Sequence, residues 1–257
     1  MTLSYIVAGF GVGILVGLTG VGGGSLMTPL LTLMFNVAPG VAVGTDLAFA
    51  SITKVAGTVA HRYRGTVHWD IVRLLCVGAL PAAVVATLFL KQFGALSPDI
   101  GQFIRYAIAG SVALTVIALL FRGRMQAWLA AHPEKHLQGT GLATATVLSG
   151  ILLGALVTVS SIGAGAVGAT LLVLLYPKLS PAEIAGTDIA YAVPLTAIAA
   201  LGHWWLGSIN WELLGTLLIG SVPGITIGSL AARKVPEKFL RGLLALVLTT
   251  VAVKLVF

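Results

Sequence analysis

One register constrains this chain more than any other feature of its sequence. Sliding the sequence along itself by 142 residues lays Val43-Gly44-Thr45-Asp46-Leu47-Ala48-Phe49-Ala50 on Ala185-Gly186-Thr187-Asp188-Ile189-Ala190-Tyr191-Ala192. At the same offset Pro39 meets Pro181, His61 meets His203, Gly65 meets Gly207, Trp69 meets Trp211, Asp70 faces Glu212, Gly78 meets Gly220 and Pro81 meets Pro223. An abundance of Leu and Ala aligns those residue types by chance, but not His, Trp, Asp and two Pro together. The chain reads as one unit written twice, and a long period of this kind outranks local pattern in setting the fold.

The repeated unit is a series of apolar segments. Breaks at Gly, Pro and charge leave them near 3–18, 24–36, 39–61, 71–90, 103–121, 140–159, 165–176, 181–203, 212–231 and 240–257, ten in two sets of five. Most approach the ~20 residues that cross a hydrocarbon core. Segments 24–36 and 165–176 are shorter, and each follows a Gly-rich interruption. Composition closes the alternatives. The chain is 58% hydrophobic and 9% charged, and its glycines bring apolar plus Gly to about 70%, against about 45–50% in a soluble domain. So few charges cannot clothe a water-soluble body of this length, and a nucleic-acid binder is excluded with it. The lone Cys76 rules out an internal disulfide and a Cys-based zinc cluster, and reads as a small lipid- or helix-facing residue. Met1-Thr2-Leu3-Ser4-Tyr5 has no positive n-region, so the first apolar segment is expected to be retained in the membrane.

Charge then sets orientation. With sides alternating from an outside N-terminus, Arg62, Arg64, Arg73, Arg122, Arg124, Lys135, Lys178, Arg233, Lys234, Lys238 and Arg241 fall on the cytoplasmic side. Only Lys91, Arg105 and Lys254 fall opposite, and Lys54 lies inside a span. This bias predicts both termini on the non-cytoplasmic side of a cell (inner) membrane. Counting 3–18 and 24–36 as a re-entrant hairpin leaves parity unchanged, so eight to ten crossings are expected. Five segments per copy force the second copy upside down, and the loops agree: 62–70 carries Arg62 and Arg64, whereas 204–212 has no Lys or Arg. The expected fold is an all-α membrane protein of two inverted-topology repeats of about five hydrophobic segments, with Gly-rich broken or re-entrant helices. The first repeat spans 1–122, a cytoplasmic linker 123–139 and the second repeat 140–257. Such repeats are characteristic of secondary transporters with a site near the midplane.

Three features mark candidate site residues. The first is the Gly-rich run with Thr19, Gly20, Gly22, Gly23, Gly24 and Ser25, answered in the second half by Ser160, Ser161, Gly163 and Gly165. Glycine at this density breaks helices, and non-helical backbone at membrane depth is tolerated where it is buried in protein or lines a wet cavity. The freed N–H groups and the dipole of the following half-helix favour an anion; a tight helix contact or a surface loop is the structural alternative. The second is the pair Asp46 and Asp188, each preceded by a threonine, Thr45 or Thr187. Ser180-Pro181-Ala182-Glu183 has the form of a capping box, so Asp188 lies roughly 10 Å inside its helix and cannot cap it. Intramembrane acids mark ion pathways or partners, although each carboxylate could equally brace the broken segment.

The third is the helical stripe Asp46, Ala50 and Lys54 leading to His61, which reads Asp188, Ala192, Thr196 and His203 in the second copy. Lys54 is an anion attractor or a lysine snorkelling toward the cytoplasmic end, the second being favoured. His61 and His203 lie at opposite faces, read as interfacial residues with a gating role as the alternative, and cannot share a metal. Trp69, Trp204, Trp205 and Trp211 suit the aromatic belt. His132 and His136 are separated by Pro133 and read as surface loop. No metal, cofactor or catalytic residue is expected, and no nucleophile motif of an enzyme occurs.

Gly20-Val21-Gly22-Gly23-Gly24, an apolar run through Pro29, and Gly44-Thr45-Asp46, all with a second-half echo, resemble the TauE/SafE family of sulfite exporters and related anion permeases. The resemblance covers essentially the whole chain. It implies a multi-pass permease for sulfite, organosulfonates or other small oxidised-sulfur or carboxylate anions, with no resident cofactor. Ala164 and Ala166 depart from the glycine pattern in the second half. The residues and the resemblance together suggest alternating access, with a proton or sodium as coupling ion through Asp46 and Asp188. An uncoupled anion channel and a carboxylate permease are the alternatives. Partners are the small anion, the coupling ion and the lipid bilayer; a homodimer is left open.

Overall fold

The computed structural model describes residues 2–19, 24–94, 96–132 and 137–231, with 242, 246, 248–250 and 254. Among these residues the chain is helical, without strands, in the order α1 (Thr2–Thr19), α2 (Gly24–Met34), α3 (Pro39–Tyr63), α4 (Trp69–Gln92), α5 (Pro98–Ala131), α6 (Gly139–Ser160), α7 (Ala166–Leu175), α8 (Pro181–Trp205) and α9 (Trp211–Ala231). Nine of the ten apolar segments thus appear as helices. The tenth, 240–257, lies largely outside the described residues. Among the described residues five helices, α4, α5, α6, α8 and α9, are long and apolar enough to cross a membrane. At 1.5 Å per residue the 11-residue α2 and 10-residue α7 reach only ~15–17 Å, about half a ~30 Å hydrocarbon core.

Local chemistry sets the ends of these helices. Ser180 and Glu183 form the expected capping box, with Ser180 Oγ accepting from Glu183 N–H at 3.3 Å and Glu183 Oε2 accepting from Ser180 N–H at 2.8 Å. Pro181 opens α8 behind it. Ser97 caps α5 in a similar way, accepting from Ile100 N–H. Helix α5 runs to Ala131, past Arg122 and Arg124, because no Gly-rich run or proline interrupts it. The first half of the expected linker is therefore helix, whereas Pro133, Glu134, Lys135 and His136 lie outside the described residues.

Two tight helix pairs flank a central one. Helix α1 packs along α9, α4 packs along α6, and α3 crosses α8 between them. Both flanking pairs depend on glycine. A Cβ on Gly13 would strike the backbone of Ser221, and one on Gly154 that of Ala79; Gly9 and Gly150 stand in the same way against Leu217 and Leu75. Ser221 and Leu217 lie 142 residues beyond Ala79 and Leu75. Lipid tails are as apolar as the side chains, so close approach through small residues, rather than a hydrophobic force, holds such pairs.

The central crossing is laced by hydrogen bonds at both ends. His68 N–H donates to Thr187 Oγ1 at 3.1 Å, and Asn210 N–H donates to Thr45 Oγ1 at 3.1 Å. His61 Nδ1 meets Thr66 Oγ1 at 2.8 Å, and His203 Nδ1 meets Ser208 Oγ at 2.8 Å. Gly44 fits against Ser208 and His203, and Gly186 against Thr66 and His61. Every residue in the second member of these pairs is shifted by the offset that separates Asp46 from Asp188. The core between the two ends contains Phe49, Leu47, Tyr191 and Leu195, all fully buried.

Candidate functional site

Helix α6 stops at Ser160 because the following backbone leaves the helical region. Ser161 is left-handed at φ 58°, Gly163 and Gly165 have φ of 133° and 129°, and α7 begins at Ala166. The last two angles demand glycine. Ala164 and Ala166, the departures from the glycine pattern, fall where the break does not need it. Within the break Ser160 is satisfied locally, donating to Leu156 O at 2.7 Å and accepting from Ile162 N–H at 3.2 Å. Ser161 Oγ is buried and turned toward the Asp46 carboxyl.

Asp46 sits on α3, completely buried. Its Oδ2 accepts from the Thr28 hydroxyl at 2.6 Å and from the Thr28 N–H at 3.2 Å, which fastens α2 to α3. Its Oδ1 has no partner among the described residues. Asp188 on α8 is bound differently. Thr170, which occupies the place of Thr28 in the second half, donates to Ala166 O of its own helix at 2.7 Å. The Gly165 N–H faces the Asp188 carboxyl instead, and Asp188 Oδ1 is buried without a partner among the described residues. Among the described residues the fully buried Tyr191 hydroxyl is unpartnered as well, and both groups press on Gly168, where a side chain would collide with them.

Lys54 turns inward, within electrostatic reach of both acids. It is 7% exposed, its ammonium lies 3.5 Å from Ala164 O in the break, and both Asp46 and Asp188 act on its charge. It does not extend to an exposed end as snorkelling would require, because acceptors and counter-charges are available inside. Arg122 on α5 is a second cation within electrostatic reach of Asp188. One helix break thus serves three buried ionisable groups, with Ser161 toward Asp46, Gly165 toward Asp188 and Ala164 O toward Lys54.

Other candidate residues are engaged elsewhere. Thr45 and Thr187 are buried at the two ends of the α3–α8 crossing, accepting the Asn210 and His68 N–H groups. His203 is fully buried and held by Ser208 and by Thr158 O at 2.9 Å. His61 is half-buried beside Thr66. Trp69, Trp204, Trp205 and Trp211 are exposed, as a belt requires. Thr19 ends α1, while Gly24 and Ser25 begin α2; Gly20, Gly22 and Gly23 lie outside the described residues. Among the described residues no three His, Cys, Asp or Glu side chains gather as a metal site.

Sequence reasoning missed Thr28 and Tyr191. Thr28 gave no signal beyond its echo in Thr170. Tyr191 did, since it puts a hydroxyl where the first half has Phe49.

Residues 5–255 match the family described as Sulfite exporter TauE/SafE. The chain belongs to this family. Among its relatives is the probable membrane transporter protein YjnA of Bacillus subtilis (strain 168), 33% identical over 256 residues that cover all of both chains. YdhB of the same organism, also a probable membrane transporter protein, is 27% identical over 90% of this chain and 91% of its own. A probable membrane transporter protein of Xylella fastidiosa (strain Temecula1 / ATCC 700964) is 26% identical over 100% of this chain and 97% of its own. No solved structure matches the chain. Membership in TauE/SafE makes this protein a membrane transporter and not an enzyme, in keeping with its several apolar helices.

Proposed function

We propose that this TauE/SafE protein is a secondary transporter of small oxidised-sulfur anions, sulfite or organosulfonates first among them. In this reading the halves are inverted repeats that rock about the α3–α8 crossing, and the anion binds at the broken hairpins. The observation that carries the proposal is the α6–α7 break itself, a non-helical turn buried in the protein and opening on to Ser161, Lys54 and Asp188. Backbone N–H groups at the start of a half-helix, a hydroxyl and an ammonium are donors suited to a small pyramidal or tetrahedral anion. The paired contacts between the halves support two related states of similar energy, as alternating access needs. Coupling is assigned to Asp188 with a proton. The protein is placed in the inner membrane with both termini outside the cytoplasm.

A ligand panel tests the anion site. Sulfite, sulfate, thiosulfate, taurine, sulfoacetate and small carboxylates are added to purified protein and thermal unfolding is followed. A dose-dependent rise in Tm with sulfite or a sulfonate is the expected outcome. A rise with carboxylates alone would redirect the reading to a carboxylate permease, and no rise with any anion would remove the site.

A further inference from the structure

Two matched differences set the second half apart beside Asp188. Gly168 on α7 stands 142 positions after Leu26, and Tyr191 on α8 stands 142 positions after Phe49. In the first half Leu26 and Phe49 are both buried in the apolar core. In the second half the leucine side chain is gone and the ring carries a hydroxyl. The two changes depend on one another, because a Cβ at Gly168 would lie 2.7 Å from the Tyr191 hydroxyl and would strike Asp188 Oδ1. Glycine at 168 therefore lets both oxygens reach the first turn of α7. Neither has a hydrogen-bond partner among the described residues, although Tyr191 is fully buried and Asp188 is 4% exposed. A buried hydroxyl without a partner is costly, and the fully buried Phe49 shows that a ring alone packs at this register. Packing does not account for the hydroxyl.

One donor and one acceptor thus stand side by side at Gly168. A tyrosine hydroxyl donates, and an ionised carboxylate only accepts. Both approach the same point over the glycine, so a single ligand hydroxyl between them can accept from one and donate to the other. A sulfonate oxygen cannot, since it only accepts. We infer that the Tyr191 hydroxyl and the Asp188 carboxylate read an O–H group on the transported anion, so that the site selects hydroxysulfonates and hydrogensulfite over anions that carry acceptors alone. The inference rests on the anion reading and narrows its substrate class. The anionic end of such a ligand lies toward the start of α7, where free N–H groups suit negative charge. A buried site built around a substrate O–H rejects the analogue lacking it, because its own polar groups are then left unpaired. Leu26 and Phe49 offer no such pair, so this selection is assigned to the second half alone.

The test uses a matched pair of probes, 2-hydroxyethanesulfonate and ethanesulfonate, which differ by one hydroxyl. Their dissociation constants are measured on purified protein by titration calorimetry at constant pH and ionic strength. Wild type is expected to bind 2-hydroxyethanesulfonate about tenfold or more tighter than ethanesulfonate. Tyr191→Phe gives α8 the first half's residue. It is expected to weaken 2-hydroxyethanesulfonate by about threefold or more, to bind ethanesulfonate as wild type does, and to unfold without ligand at a Tm no lower than wild type. Equal affinity of wild type for the two probes would overturn the inference while leaving the anion site standing, and that comparison needs no variant. So would Y191F that weakens both probes equally, or that loses Tm before any ligand is added, since the hydroxyl would then serve the fold. Binding of neither probe would overturn it too, and the sulfite arm of the ligand panel then decides whether the anion site fails with it.

Discussion

Asp46 and Asp188 occupy matching places in the two halves, yet the structure treats them differently. Asp46 is fastened by both the hydroxyl and the N–H of Thr28, so its carboxylate is part of the joint between α2 and α3. Asp188 has no such fastening, because Thr170 turns back into its own helix. It faces instead the break at Gly165, the Tyr191 hydroxyl and the Lys54 ammonium. The same residue type at the same register thus braces one half and stays available in the other. Residues related by the sequence repeat can share backbone contacts and differ in their chemistry.

The largest effect that would sharpen this contrast is functional. Asp188→Asn is expected to reduce anion flux in proteoliposomes by more than tenfold, about 1.4 kcal/mol or more in barrier, with Tm near that of wild type. Asp46→Asn is expected to lower Tm first. Equal flux loss with equal Tm in the two variants would erase the distinction.

Next are the two histidines. His203→Ala creates a cavity and strips Ser208 and Thr158 O of a partner, which should cost about 2–4 kcal/mol in denaturant unfolding. His61→Ala, at a half-exposed position, should cost less than about 1 kcal/mol. The threonine pair follows. Thr28→Val removes a hydrogen bond to a buried carboxylate and is expected to cost about 1.5–3 kcal/mol, whereas Thr170→Val should stay within about 0.5 kcal/mol. Reversal of that order would move the bracing role to Asp188.

The smallest expected difference lies in the backbone, where the halves should behave alike. Gly13→Val and Gly154→Val each force apart a pair of touching helices and should cost about 1–3 kcal/mol, with nearly equal values in thermal unfolding. Unequal losses would show that the α1–α9 and α4–α6 contacts are not equivalent.

Much of the fold was legible because apolar length, Gly runs and proline mark helix limits directly. The segment 181–203 became α8 at Pro181–Trp205, and Ser180 with Glu183 capped it as their spacing required. The extent of α5 beyond Arg122 was not legible, since charged residues at a membrane boundary do not end a helix. The buried cluster at the α6–α7 break was legible in its residues but not in their partnerships. Asp46, Asp188 and the Gly163–Gly165 break stood out as rare residue types at depth. That Thr28 binds one acid and that Lys54 turns inward depend on which helices cross, and no local pattern encodes that. Thr45 and Thr187 stood beside the acids in sequence and are used for clasping the opposite loops instead, because adjacent positions on a helix face different ways.

The most direct test of the central claim is flux of sulfite, or of the sulfonate that best stabilises the protein, into proteoliposomes under an imposed proton gradient. The account predicts saturable accumulation above equilibrium in wild type, collapsed by a protonophore and lost in Asp188→Asn. Flux that only follows the anion's own gradient, unchanged by protonophore and by Asp188→Asn, would contradict it.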